Sequence, residues 1–531
     1  MNNIAEWLPY ASANWGPNDA IVTGKNKIAF QALYRQSVQF ALSCLHHGIK
    51  PRDRVVLVAE NGIEAVIAHF GVLMMGGIAV FIHPKTLPGT IADIIYDCDA
   101  VAIVADSTVT LQQLPEKIIK VAIEIQPTSG WIPYFQWMMQ RREDEGRRSQ
   151  LFPELSEEET ALLIYTSGST GKPKGIMSTH KNIRFTTDAI NEFLRHNEHD
   201  RVLSYLPLSF DYGLYQIYLT LSRGAKLILR NAADLGTDLI RKVINDEKVT
   251  GLPGLRNIFS LIHVMKEKYP CVRYVTNTGD ELPFEMVRKI GEKFPRSEIF
   301  LMYGLTECKR VSCLPSSRVY DKIGSVGIPI KDTRVSIRDE SGEECAPNVI
   351  GELFVNGPHL CKGYWNDKDM TDRTYIRKSD GRWLRTGDYF YRDPEGFMYF
   401  AGRKDSQLKS RGFRIDCSEI ENVFLKHCPR LKDVVAVGIP DSKLGHAIGL
   451  WAVTKEKIKS ESAEKQWTNE LKKIAEIFLE GWKRPRYVYL SDEIPKTKSG
   501  KTDKKRMVDT ILSTRGDRTG KEEPLSTDPS I

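Results

Sequence analysis

Through roughly the first three hundred of its 531 residues, short runs of β-branched and aliphatic residues alternate with longer stretches of helical periodicity. Val55-Val56-Leu57-Val58 precedes a helical pattern over 62–75, and Val272-Arg273-Tyr274-Val275 precedes one over 283–294. Val101-Ala102-Ile103-Val104 and Lys226-Leu227-Ile228-Leu229 are further runs of this kind. The alternation predicts βαβ units and open, mainly parallel sheets. Ligands of such sheets sit at the carboxyl ends of the strands. A chain of this length exceeds what one core serves, so at least two domains are expected.

The most apolar stretch, Val66 to Ile82, is interrupted by His69, Gly76 and Gly77 and ends at His83-Pro84. It reads as a buried helix, a glycine turn and a buried strand. A membrane span needs about 20 apolar residues without such breaks. From about Val335 to Phe400 the texture changes to short strands and tight turns, as in Glu352-Leu353-Phe354-Val355 before Asn356-Gly357, which predicts a small antiparallel unit. After Gly402-Arg403-Lys404-Asp405 a new α+β pattern starts, with a helix at 418–427 and a strand from Val434 to Val437. The expected division is a large domain over 1–404, a second over 405–511, and a polar, disordered tail over 512–531.

The composition, 41% hydrophobic and 27% charged, is that of an ordinary globular protein. A net charge of +7 spread over 75 basic and 68 acidic side chains does not concentrate positive charge, so no nucleic-acid partner is expected. The nine cysteines form no CxxC pair and no His/Cys cluster at zinc spacing. Together with an N-terminus that lacks the basic start and apolar run of a signal peptide, this predicts a cytoplasmic location.

The densest chemical signal is Tyr165-Thr166-Ser167-Gly168-Ser169-Thr170-Gly171-Lys172-Pro173-Lys174-Gly175, which follows the strand-like Ala161-Leu162-Leu163-Ile164. Glycines admit an anion close to the backbone, hydroxyls and amides donate to it, and lysines neutralise it. This loop should hold phosphates. It is not the P-loop of ordinary NTPases, which has Ser or Thr directly after Gly-Lys, because Pro173 stands there.

That segment resembles the phosphate-binding signature of the AMP-forming adenylating superfamily, which includes acyl-CoA synthetases, peptide-synthetase adenylation domains and firefly luciferase. Further motifs follow in the family's order over about residues 10 to 508. Thr276-Asn277-Thr278-Gly279-Asp280-Glu281 resembles the adenine-contacting loop. Tyr303-Gly304-Leu305-Thr306-Glu307 resembles the segment in which Thr meets the α-phosphate and Glu holds magnesium. Trp383 to Asp388 is similar to the ribose motif, and Arg403 and Asp405 match the ribose or phosphate contact and the hinge pivot. Pro495 to Lys501 resembles the loop of the catalytic lysine, which falls on Lys501.

The resemblance implies an α/β fold: two doubly wound βα subdomains and a small distorted β-barrel in the large domain, with a small α+β domain on a hinge. It implies a two-step reaction that uses ATP and Mg2+. A carboxylate first displaces pyrophosphate to give an acyl-adenylate, and a thiol of coenzyme A or of a carrier-bound phosphopantetheine then takes the acyl group. The nucleotide would be held by Thr166, Ser167, Gly168, Ser169, Thr170, Gly171, Lys174, Gly279, Asp280, Glu281, Tyr303, Thr306, Asp388 and Arg403, with Glu307 as the metal ligand. Lys501, Thr306 and Glu307 would be catalytic.

The acid is less constrained. Phe210 stands where many fatty-acid and aryl-acid ligases of the family have His. Ser209-Phe210-Asp211 is similar to amino-acid adenylation domains, in which the Asp binds the substrate ammonium. Asp211 could equally hydrogen-bond backbone beside a simple acid. By the same resemblance the pocket includes Phe210, Asp211, Tyr212, Tyr215, Thr276, Thr278, Met302, Arg310 and Val311, with Arg310 either neutralising Asp211 or meeting a second acidic group. No carrier or condensation pattern follows Lys501, so a carrier protein is expected to act in trans. A luciferase-like adenylate oxidase and a silent binding relative are the rival readings. The silent relative should have lost Lys501, Glu307 or Asp388, and all are present.

Overall fold

The computed structural model describes residues 3–24, 26–106, 114–123, 130–139, 145–166, 173–231, 234, 236–279, 282–403, 407–411, 413–441, 443–456, 458, 460–496 and 502–516. Among these residues the strands form three sheets. The first is an eight-stranded sheet centred on Ile78–Ile82, Arg54–Val58 and Ala102–Ala105, which run parallel. Lys174–Thr179 folds back antiparallel on Thr160–Thr166 at one side of it.

The second sheet has a parallel half built from Asp19–Thr23, Lys226–Leu229, Arg201–Ser204, Gly251–Gly254, Tyr274–Asn277 and Glu298–Tyr303. It continues without a break into antiparallel strands Ser312–Leu314, Ser325–Pro329, Met398–Arg403, Gly381–Arg392, Gly351–Asn356 and Arg334–Arg338. The small antiparallel unit read from the sequence is thus an extension of the second sheet, with its own core around Leu353, Val355, Phe390 and Met398.

The interior is built by helices buried on all sides. Ile63–Met74 has ten of its twelve residues buried, as its mostly apolar sequence requires, and Gly76 at φ +79 turns the chain into Ile78–Ile82. Its His69 bonds to the hydroxyl of Tyr218 at 2.8 Å, which ties it to the equally buried helix Asp211–Leu221 of the second sheet. Asn61 makes a second tie, at the carboxyl edges of both sheets. Its Nδ2 donates to the carbonyls of Leu206 (3.0 Å) and Arg230 (2.9 Å), its Oδ1 accepts from Leu208 N–H (3.0 Å), and its own N–H donates to Asn231 Oδ1 (2.9 Å).

A third sheet of five strands, with helices Cys417–His427, Glu461–Phe478 and Lys504–Gly516, holds a separate core around Phe424, Leu450, Trp467 and Leu471. Several boundaries differ from expectation, the strand read at Val434 to Val437 running over Leu431–Asp441 for one, and two of the differences have a side-chain cause. The strand after Val272 starts at Tyr274, because Arg273 is pulled aside to Asp200 (2.5 Å). The last helix runs to Gly516, because Met507 and Ile511 bury themselves against the sheet within an otherwise polar sequence. Residues 517–531 lie outside the described residues.

Two predictions follow from these buried polar groups. Asn61→Ala would strand two carbonyls and an N–H, and should lower the unfolding free energy by about 2–4 kcal/mol in urea titrations. Burial also holds five histidines below their ordinary value of 6.5: His69 at about 3, and His83, His180, His196 and His359 at about 4. His180 Nδ1 accepts the N–H of Ile4 (3.2 Å) and cannot do so once protonated. The unfolded chain binds these protons below pH 6.5 and the folded chain does not. Stability should therefore be full above that pH and fall steadily as it drops toward 4, with proton uptake on unfolding at pH 5.

Candidate active site

The carboxyl ends of Glu298–Tyr303 and Tyr274–Asn277 and the outer strands around Asp388 converge on one cleft, and two cavities occupy it. The turn after Tyr303 depends on Gly304, where a Cβ would stand 1.9 Å from the carbonyl oxygen of Lys309. The tight turn presents Thr306 half-buried and Glu307 buried. It is pinned from outside. Tyr364 Oη donates to Glu307 Oε1 (2.9 Å), Tyr375 Oη donates to the Glu307 carbonyl (2.9 Å), and Lys309 Nζ donates to the Thr306 carbonyl (2.8 Å).

The larger cavity, about 630 Å³, is lined by Asn277, Gly279, Tyr303, Val326, Asp388 and Gly402, and closed by Leu408, Gly438, His446, Lys504 and Lys505 of the C-terminal unit. Asp388 is 1% exposed and accepts from Tyr303 Oη at 2.6 Å. A fixed, buried carboxylate at the cavity wall is the acceptor that paired sugar hydroxyls need. Its strand places Asp388 opposite Arg403 in register.

The smaller cavity, about 180 Å³, is walled by Ile190, Phe210, Asp211, Tyr212, Tyr215, Thr278 and Arg310. Thr306 lines it, and Gly279 lines both cavities, so the two meet beside the Thr306 turn. Phe210 to Tyr215 reach the wall because helix Asp211–Leu221 packs tightly on the preceding turn. A Cβ at Gly213 would lie 2.3 Å from the Pro207 carbonyl oxygen. Tyr212 Oη bonds to the Thr276 hydroxyl at 2.7 Å, which places Thr276 beneath the pocket floor. Met302 lines the larger cavity, and Val311 is buried in the antiparallel core.

Part of the smaller cavity is closed by residues that the sequence reading missed. Phe413 stacks on Trp482 at 4.5 Å and lies 6.4 Å from Phe210, and Trp482 meets His83 edge-on at 5.3 Å. Lys483 pairs with Glu419 (2.6 Å) and Glu480 (3.1 Å), and Thr90 Oγ1 donates to Glu480 Oε1 at 3.4 Å across the interface. Burial alone would lower the Lys483 pKa, but the two carboxylates outweigh it and raise it. A charged pair inside Glu480-Gly481-Trp482-Lys483 was the one available signal for this interface.

Thr166 ends its strand at the smaller cavity and Lys174 opens the next strand. Ser167, Gly168, Ser169, Thr170, Gly171, Asp280, Glu281, Asp405 and Lys501 lie outside the described residues, as does the side chain of Arg403. Magnesium prefers oxygen ligands and keeps bonds to substrate phosphates. Thr306 and Glu307 offer oxygens of that kind, and among the described residues no group of three His, Cys, Asp or Glu forms a cage of its own.

Two joined cavities thus lie at the carboxyl ends of parallel strands and are closed in part by the C-terminal unit. The chain matches the AMP-binding enzyme family over residues 10–365 and the AMP-binding enzyme C-terminal domain over 419–501, and it belongs to that family. It is 27% identical to the long-chain-fatty-acid–CoA ligase of Salmonella typhimurium, over 96% of this chain and 94% of that one. It is 28% identical to bacitracin synthase 3 of Bacillus licheniformis, over 92% of this chain and 7% of that protein. Its fold is that of o-succinylbenzoate coenzyme A synthetase from Bacillus subtilis. The TM-score is 0.82, at 24% identity over 95% and 98% of the two chains, for a double mutant bound to its product analogue. It is 0.67, at 23% identity over 98% and 99%, for the complex with the acyl-adenylate. The chain is an AMP-binding enzyme with both the large domain and the C-terminal domain of that family.

Asp388→Asn should raise the KM for ATP by about 100-fold. Tyr303→Phe, which removes only the hydroxyl that aims the carboxylate, should raise it about 10-fold. Steady-state kinetics at saturating acid would measure both.

Proposed function

We propose that the smaller cavity holds the carboxylic acid with its reacting carboxylate toward Thr306, and that the larger cavity holds ATP with its ribose on Asp388. The observation that carries this reading is the meeting of the two cavities at Gly279 beside Thr306. An oxygen of the acid attacks the α-phosphorus, the bond to pyrophosphate breaks, and acyl-AMP forms. Positioning supplies much of the rate, as is usual where charged groups must approach. Thr306 donates to the α-phosphate, Lys501 bridges carboxylate and phosphate, and the 166–174 loop holds the leaving pyrophosphate. Glu307 would hold magnesium, which when bound would supply neutralisation of the phosphate charge.

The acceptor in our reading is the thiol of a pantetheine arm, either of coenzyme A or of a carrier protein acting in trans. Full-length similarity to a coenzyme A ligase supports the first source, and similarity to a peptide synthetase supports the second. We read residues 1–404 and 405–511 as two bodies that swing about Asp405 between the half-reactions. The higher TM-score to the product-analogue complex than to the acyl-adenylate complex supports that reading. The nine cysteines, all free, fit a reducing cytoplasm.

Pyrophosphate–ATP exchange across fatty, aryl and amino acids tests the first step, and absence of exchange with every acid would overturn it. Lys501→Ala should lose adenylation by about 100-fold or more while still converting supplied acyl-adenylate to thioester. Asp405→Pro should do the reverse. Equal loss of both steps in either variant would sink the division of labour.

A further inference from the structure

Arg310 is a buried cation with an incomplete set of partners. Three residues after Glu307, it is 6% exposed and lines the smaller cavity. Its Nη1 donates to Thr278 Oγ1, and its guanidinium carbon lies 5.9 Å from the ring centre of Tyr212. Its Nε, fully buried, has no hydrogen-bond partner. Among the described residues no carboxylate lies within ion-pairing distance of it. Asp211, on the same wall, attracts it only through space, and accepts the N–H of Tyr212 at 2.8 Å.

Removing a guanidinium from water without an anion beside it is costly, and a half-satisfied buried charge is worse than an apolar residue of the same size. The missing partner is therefore expected to come from the ligand. A planar, forked donor that has lost its water is matched best by a carboxylate. The adenosine part of the nucleotide does not supply it, because Arg310 and Asp211 are absent from the lining of the larger cavity, and a phosphate is the competing partner, since Thr306 and Thr166 line the smaller cavity with Arg310. Size adds a second constraint. At about 180 Å³ the cavity is below the ~300–1,000 Å³ usual for drug-sized ligands, which favours a short acid over a long acyl chain.

We propose that Arg310 binds a second carboxylate of the substrate, and that the enzyme activates a short dicarboxylic acid at the end nearer Thr306. The proposal rests on the reading of the smaller cavity as the acid site. Phe210, Tyr212 and Ile190 supply the apolar wall for the few carbons between the two carboxylates.

The test is pyrophosphate–ATP exchange on the full chain with succinate, glutarate and phthalate against butyrate, pentanoate and benzoate. The wild type should favour the best diacid over its matched monoacid by about 100-fold or more in kcat/KM, since a site built around a buried donor rejects the analogue that lacks its partner. Arg310→Leu should reverse that preference, lowering the diacid by about 100-fold, sparing or improving the monoacid, and leaving the KM for ATP unchanged. Arg310→Lys should recover part of the diacid activity. Equal use of matched acids by the wild type would overturn the proposal and leave acid activation standing. So would equal loss of both acids in Arg310→Leu, or a rise in the KM for ATP with no change in acid preference. Calorimetric titration of glutarate and pentanoate reads the same preference without turnover. No selective binding of glutarate overturns the Arg310 assignment, whereas no exchange with any acid overturns the acid-activating reading itself.

Discussion

The cleft depends on keeping the carboxyl edges of two sheets in register with each other, and one buried amide does much of that. Asn61 follows the central strand of the first sheet, yet its hydrogen bonds all end on the second, at Leu206, Leu208, Arg230 and Asn231. The segment it grips leads directly into Phe210, Asp211 and Tyr212. Two sheets packed through apolar helices alone can slide, because hydrophobic contact is not directional. A fully satisfied polar residue between them cannot slide without leaving donors and acceptors dry. The wall of the smaller cavity thus takes its position from a residue that does not line it.

A division of labour runs through the rest of the site. The parallel strands deliver backbone turns whose shape is forced by close approach, as at Gly304 and Gly213. The antiparallel extension delivers buried, hydrogen-bonded side chains, with Asp388 fixed by Tyr303 and the Glu307 turn fixed by Tyr364 and Tyr375. The C-terminal unit contributes aromatic rings and a paired lysine at the cavity mouth. Preorganisation of this kind places groups before substrate arrives, so little is left to reorganise during the reaction.

Much of this was legible in the sequence, and the reasons are local. Periodicity placed the helix at Ile63–Met74 and the strand at Lys226–Leu229. The order of motifs carried the chemistry. What stayed hidden was set by tertiary contact. Nothing near Asn61 reveals that its partners lie some 145 to 170 residues away. Trp482 and Glu480 sit in a short turn of the last domain, and no spacing rule links them to His83 or Thr90. Thr276 and Met302 carry the right motif positions, but one lies under the pocket floor and the other faces the neighbouring cavity.

The aromatic pair Phe413 and Trp482 has a thermodynamic consequence beyond shaping a wall. The two units have separate hydrophobic cores, so an empty protein can melt in two stages. An occupant of the smaller cavity touches both units at once, and its binding energy is then shared with their docking. By reciprocity, whatever tightens the docking also tightens the occupant. The smaller cavity and the interface beside it are one equilibrium, and a ligand there should draw two melting transitions toward one.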